Sequence, residues 1–159
     1  MSLVPIICTH EVSHITLAHI LSKAYQFSTD IDSPPTLLLL TTSNPCDLRQ
    51  YTCDSVTNPP VGKFHSPFLG WRLARIAKFL EKNTEGTVVN AVTFLVADEQ
   101  TLEDEDTLLL VHNAENSRQT IRLSAAFVNA EAASVDVGCT DVGELRSLAD
   151  EDGVYRGDD

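Results

Sequence analysis

Cationic residues are scarce in this chain: 11 Lys and Arg stand against 23 Asp and Glu in 159 residues, a formal charge of −12 with five histidines counted as neutral. Phosphate backbones and anionic membrane surfaces need cationic contacts, so this balance argues against nucleic-acid and membrane binding. No apolar run approaches the length of a transmembrane helix. Met1-Ser-Leu-Val-Pro-Ile-Ile-Cys-Thr-His10 lacks a basic region, and its apolar stretch is too short for a signal peptide. Cys8, Cys46, Cys53 and Cys139 are irregularly spaced and form no Cys-x-x-Cys pair. Reduced thiols and a cytoplasmic location are therefore expected. A phosphate-cradling glycine loop and a Gly-x-Ser-x-Gly elbow are both missing. The composition is otherwise ordinary, with 43% apolar residues in a length that fits one domain with a full core.

The most structured stretch runs from Val88 to Asn113. Val88-Val-Asn-Ala-Val-Thr-Phe-Leu-Val-Ala-Asp98 and Asp106-Thr-Leu-Leu-Leu-Val-His-Asn113 are apolar, β-branched-rich runs of strand length. Alternation vanishes when neither face of a strand meets water, so both read as buried strands. Between them lies Asp98–Asp106, in which six of nine residues are acidic, and so much like charge predicts a solvated loop. A turn at Asn113, Asn116 and Ser117 leads to a third strand, Gln119–Ser124, completing an antiparallel meander.

Earlier in the chain, Leu3–Cys8 predicts a strand. A helix follows from a Thr9 cap to about Phe27, with His14, Leu17, Ala18, Leu21, Ala24 and Tyr25 on one stripe. Thr36–Thr42 predicts the next strand, and strand–helix–strand order predicts a parallel βαβ unit. Residues 43–65, containing Pro45, Pro59 and Pro60, read as a long loop of the kind that borders sites. Ser66 and Pro67 predict the start of a second helix to Asn83, its core stripe being Leu69, Leu73, Ile76 and Leu80. Ala125–Val137 gives no clear signal. Asp141 or Thr140 caps a last helix through Leu148, before an acidic tail at residues 150–159. The expected fold is a single α/β (α+β) domain with a mixed sheet of about five strands and helices packed over it.

An ordered series of motifs lies in the second half: Phe94-Leu-Val-Ala-Asp98, Thr101-Leu102, Leu108-Leu-Leu-Val111, Arg122, Asp141 and Asp150-Glu-Asp-Gly-Val-Tyr-Arg-Gly157. Over roughly residues 90–157 it resembles the bacterial family known as domain of unknown function 6924. Members carry a Val-Ala-Asp strand end, a Leu-Val-Val-Asp strand and a closing Asp-x-Asp-Gly-Val-Phe-Arg-Gly. Where the family pattern has Asn-Asn-Leu-Ser-Ile-Ala-Asn, this chain reads Ala133-Ser-Val-Asp-Val-Gly-Cys139. The resemblance implies a similar fold and brings no activity with it.

Three groups of residues could carry chemistry. His10-Glu11-Val12-Ser13-His14 satisfies His-Glu-x-x-His, which on a helix sets two imidazoles one turn apart for zinc with Glu11 as base. A third ligand such as His65 has no diagnostic spacing, so zinc stands here only as an alternative to having no cofactor. Cys8, at a strand end before a helix N-terminus, could be a thiolate nucleophile beside His10 or His14. On the second helix Arg72, Arg75, Lys78 and Lys82 share a sector with Phe68, Trp71 and Phe79, a surface for an anionic, partly apolar ligand or a protein partner.

The leading expectation is a small binding domain for an anionic or apolar small molecule or a protein partner. Its site lies among the Pro-rich loop, the first helix N-terminus and the Phe68–Lys82 helix. The alternatives are a cofactor-free isomerase, cyclase or lyase using His10, His14 or His65 as acid or base, a zinc hydrolase, and an acidic inhibitor of a basic protein. Oligomeric state is not legible in the sequence.

Overall fold

A computed structural model describes residues 2–114 and 117–157. One six-stranded mixed sheet organises them, in the order β2-β1-β3-β4-β5-β6. Its strands are β1 (Val4–Cys8), β2 (Leu37–Leu39), β3 (Thr93–Ala97), β4 (Thr107–Ala114), β5 (Ser117–Ser124) and β6 (Val154–Tyr155). The helices are α1 (His14–Asp30), α2 (Pro45–Leu48), α3 (Leu73–Asn83), α4 (Glu99–Asp104), α5 (Val128–Asp136) and α6 (Val142–Leu148). β1 pairs in parallel with both β2 and β3, and β3, β4 and β5 form the antiparallel meander.

The strands are continuously apolar because alternate residues enter two different cores. Ile6, Leu95, Leu110 and Leu123 pack with Leu17, Ile20 and Leu21 of α1, Ala132 of α5 and Leu145 of α6. Ile7, Leu38, Phe94, Val96 and Val111 pack with Phe68 and with Ile76 and Leu80 of α3. The sheet is thus covered on both faces. Its parallel part has a reversal at β1, since the chain leaves β1 for β2 on one side and later adds β3 on the other.

Several boundaries differ from the sequence reading. α1 starts at His14, with Ser13 Oγ accepting the Ile15 N–H at 3.1 Å. Thr9 cannot cap it because its backbone is already engaged. Its N–H donates to Ala97 O at 3.0 Å, and its carbonyl accepts the Gly70 N–H at 2.9 Å. α3 starts at Leu73, because Gly70 at φ 78° breaks the chain first. Ser66 Oγ instead accepts the Phe68 N–H and donates to Cys8 O at 2.5 Å. Leu69, expected in the core, is 42% exposed.

The acidic segment folds as α4, because its charges fall on exposed positions while Thr101 is buried. Asp98 and Thr101 form a reciprocal capping box, and Glu105 in the left-handed region ends the helix. The Pro-rich segment includes α2, buries Leu48 and Val61, and covers the open edge of β2. There Thr57 N–H donates to Leu37 O, and Thr57 Oγ1 accepts the Leu39 N–H. Ala125–Phe127 is a 3-10 turn leading into α5.

Two further features revise the meander and the tail. Asn113 and Ser117 belong to β4 and β5 rather than to a turn, and Asn116 lies outside the described residues. The acidic tail supplies the sixth strand: β6 lies parallel to β5, and Arg156 bridges Asp150 and Asp152 at 2.7 Å each. Asp158 and Asp159 lie outside the described residues. Among the described residues no helix is long and apolar enough to cross a membrane.

Candidate functional site

The carboxyl end of β1 opens into a cleft of about 370 Å³. Open α/β sheets favour ligand sites at this place, where the chain departs from neighbouring parallel strands in opposite directions. One wall is the segment from Cys8 to His14, and the other is Lys63–Ser66 with Leu69. Two bonds stitch the walls together: Ser66 Oγ to Cys8 O, and Gly70 N–H to Thr9 O. The cleft is therefore a fixed feature of the fold, although residues more than fifty positions apart build it.

Three of the five histidines, His10, His14 and His65, line this cleft. Among the described residues that line it, Lys63 is the one cation and Glu11 the one carboxylate. Ser13 and His14 also line it, which brings the positive end of the α1 dipole to its border. Val12, Phe64 and Leu69 supply apolar surface. His10 is held at its base by Thr9, whose Oγ1 lies 3.1 Å from His10 Nδ1. His19 is exposed on α1, and His112 Nδ1 lies 2.9 Å from Thr93 Oγ1, so neither joins the group.

This arrangement alters two of the chemical expectations. His10 and Glu11 precede α1, so the two histidines do not stand on successive turns of one helix as the zinc motif requires. Among the described residues no three His, Cys, Asp or Glu side chains converge as a metal-ligand set. Cys8 borders the cleft but its side chain is buried, and burial pushes its thiol up to about 12. A helix-activated thiolate would require the opposite shift.

The aromatic and basic surface of α3 lies elsewhere. Phe68 is fully buried and packs edge to face with Trp71 and Phe79 at 5.0 and 5.6 Å, so it is a core residue rather than a ligand contact. Arg75 caps the Trp71 ring, with its guanidinium carbon 3.8 Å from the ring centre. Arg72, Arg75 and Lys78 are exposed, and none of them borders the cleft.

The cleft brings together His10, His14, His65, Glu11 and Cys8, which the sequence reading names as candidates, with residues of the Pro-rich loop it sets beside them. Lys63 and Phe64 are not singled out as candidates, because no local pattern separates them from the rest of that loop. The sequence reading also misses the pairing of Asp98 with Arg122, at 2.5 Å and mostly buried, which ties α4 to β5. Burial pulls the Asp98 carboxyl upward. The hydrogen bond and charge of Arg122, with the Thr101 bonds, outweigh that effect and hold it below the usual carboxylate range.

The family model described as "Domain of unknown function (DUF6924)" matches residues 63–158, more than half of the chain. The chain belongs to that family. Neither the curated proteins nor the solved structures contain a match. The matched segment includes Lys63, His65 and Ser66 on one wall of the cleft, while the Cys8–His14 wall lies before it.

Proposed function

We propose that this member of the DUF6924 family is a binding domain for a small molecule with an anionic head and an apolar body, seated in the cleft at the carboxyl end of β1. One observation carries the reading: three imidazoles and the Lys63 ammonium gather beside Val12, Phe64 and Leu69 at the positive end of α1. Donors of this kind give charge-assisted hydrogen bonds to a carboxylate or phosphate, and the apolar wall takes the rest of the molecule. The overall charge of −12 opposes an anion only weakly at this range, because salt screens beyond about 10 Å. The same reading takes the chain to work in the cytoplasm, where reduced thiols such as Cys8 are the norm.

A second reading is favoured by the fixed geometry of His10: cofactor-free proton transfer on such a ligand, as in an isomerase, cyclase or lyase. Titration with benzoate and with phenyl phosphate, followed through the histidine ring signals, tests the binding reading. Shifts at His10, His14 and His65 are expected. Signals that stay still for both compounds would refute it.

A further inference from the structure

Thr9 is held on both sides of its backbone beside the cleft. Its N–H continues the β1–β3 ladder to Ala97 O, its carbonyl accepts from Gly70, and only 7% of its surface is exposed. A buried hydroxyl needs a partner, and among the described residues the one within reach of Oγ1 is His10 Nδ1 at 3.1 Å. The ring thus spends Nδ1 on the protein, and Nε2 is the atom left for the cleft that His10 lines.

We infer that Thr9 is the positioning residue of the site: its O–H donates to His10 Nδ1, holds the ring proton on Nε2, and so presents an N–H donor to the anionic head of the ligand. This rests on the anion-binding reading above. The chemistry is the ordinary choice of imidazole tautomer, in which a donor at one nitrogen leaves the proton on the other. It explains why a threonine that caps no helix keeps a buried hydroxyl beside the cleft. It also separates His10 from His14 and His65, for which no such bond fixes one nitrogen among the described side-chain contacts.

Long-range proton–nitrogen correlation spectra of the histidine rings test the assignment in wild type, Thr9→Val and Thr9→Ser, each titrated with benzoate and phenyl phosphate. Wild-type neutral His10 should be the Nε2–H tautomer. Thr9→Val should mix the tautomers and weaken binding by about tenfold, the worth of one well-placed hydrogen bond. Thr9→Ser, which keeps the hydroxyl, should retain both the tautomer and the affinity. A Thr9→Val protein with wild-type tautomer and affinity would overturn the inference. So would an Nδ1–H tautomer in the wild type, a result that stands even if Thr9→Val fails to fold. A wild type with the expected tautomer that binds neither compound would instead overturn the anion-binding reading, and with it the role given to Nε2.

Discussion

Arg122 Nη2 lies 2.5 Å from Asp98 Oδ2, with both side chains largely shielded from water. Asp98 also caps α4 through its other oxygen, and Arg122 Nη1 reaches Thr107 Oγ1 at 3.1 Å. One carboxylate therefore holds a helix start and an interior strand of the sheet, β5. Removing it strips a shielded guanidinium of its partner and α4 of its cap. Asp98→Ala should cost about 3 kcal/mol or more, read from the urea midpoint at unchanged slope. A loss below about 1 kcal/mol would show a solvated surface pair instead.

The same carboxyl makes a signed pH prediction. Asp98 is held below its ordinary value of 3.8, so the folded state binds that proton more weakly than the unfolded state. Its stabilisation is whole above 3.8 and is lost as pH falls through the lower folded value. The stability gap between wild type and Asp98→Asn should shrink on acidification below that point. A gap that stays constant in acid would contradict the assignment.

Cys8 should be chemically silent in the native state. Its thiol is buried and pushed up to about 12, whereas Cys46, Cys53 and Cys139 are exposed. Iodoacetamide near neutral pH should modify those three and spare Cys8 until the chain is denatured, as read by peptide mass spectrometry. Native labelling of Cys8 at the rate of the others would revive the nucleophile reading.

The parallel β1–α1–β2 unit and the meander are legible in the sequence because buried strands write themselves as apolar runs with nothing competing. Helix starts are not, because Thr9 and Ser66 are good capping residues whose groups are claimed by partners far away, namely Ala97 and Gly70 for Thr9 and Cys8 for Ser66. The acidic stretch misleads for a related reason: net charge says nothing of periodicity, and α4 needs only Thr101 turned inward. β6 is two residues long, too short to show a pattern. At the cleft, His10-Glu11-x-x-His14 is legible as a motif, but the helix it presumes begins only at His14. The Pro-rich loop is expected beside it, but which residues of that loop face Cys8–His14 depends on the long-range bonds from Ser66 to Cys8 and from Gly70 to Thr9.

The proposed function seats an anion in the cleft, and the basic face of α3 is the competing place for it. Calorimetric titration of phenyl phosphate into wild type, Lys63→Met, His65→Ala and Arg75→Met decides between them. Lys63 and His65 border the cleft, whereas Arg75 is occupied over Trp71. Loss of a charge-assisted contact should weaken binding about tenfold in Lys63→Met, with a smaller loss in His65→Ala. Arg75→Met should bind as wild type does. Binding that survives Lys63→Met and collapses in Arg75→Met would contradict the account and move the site to the Trp71 helix.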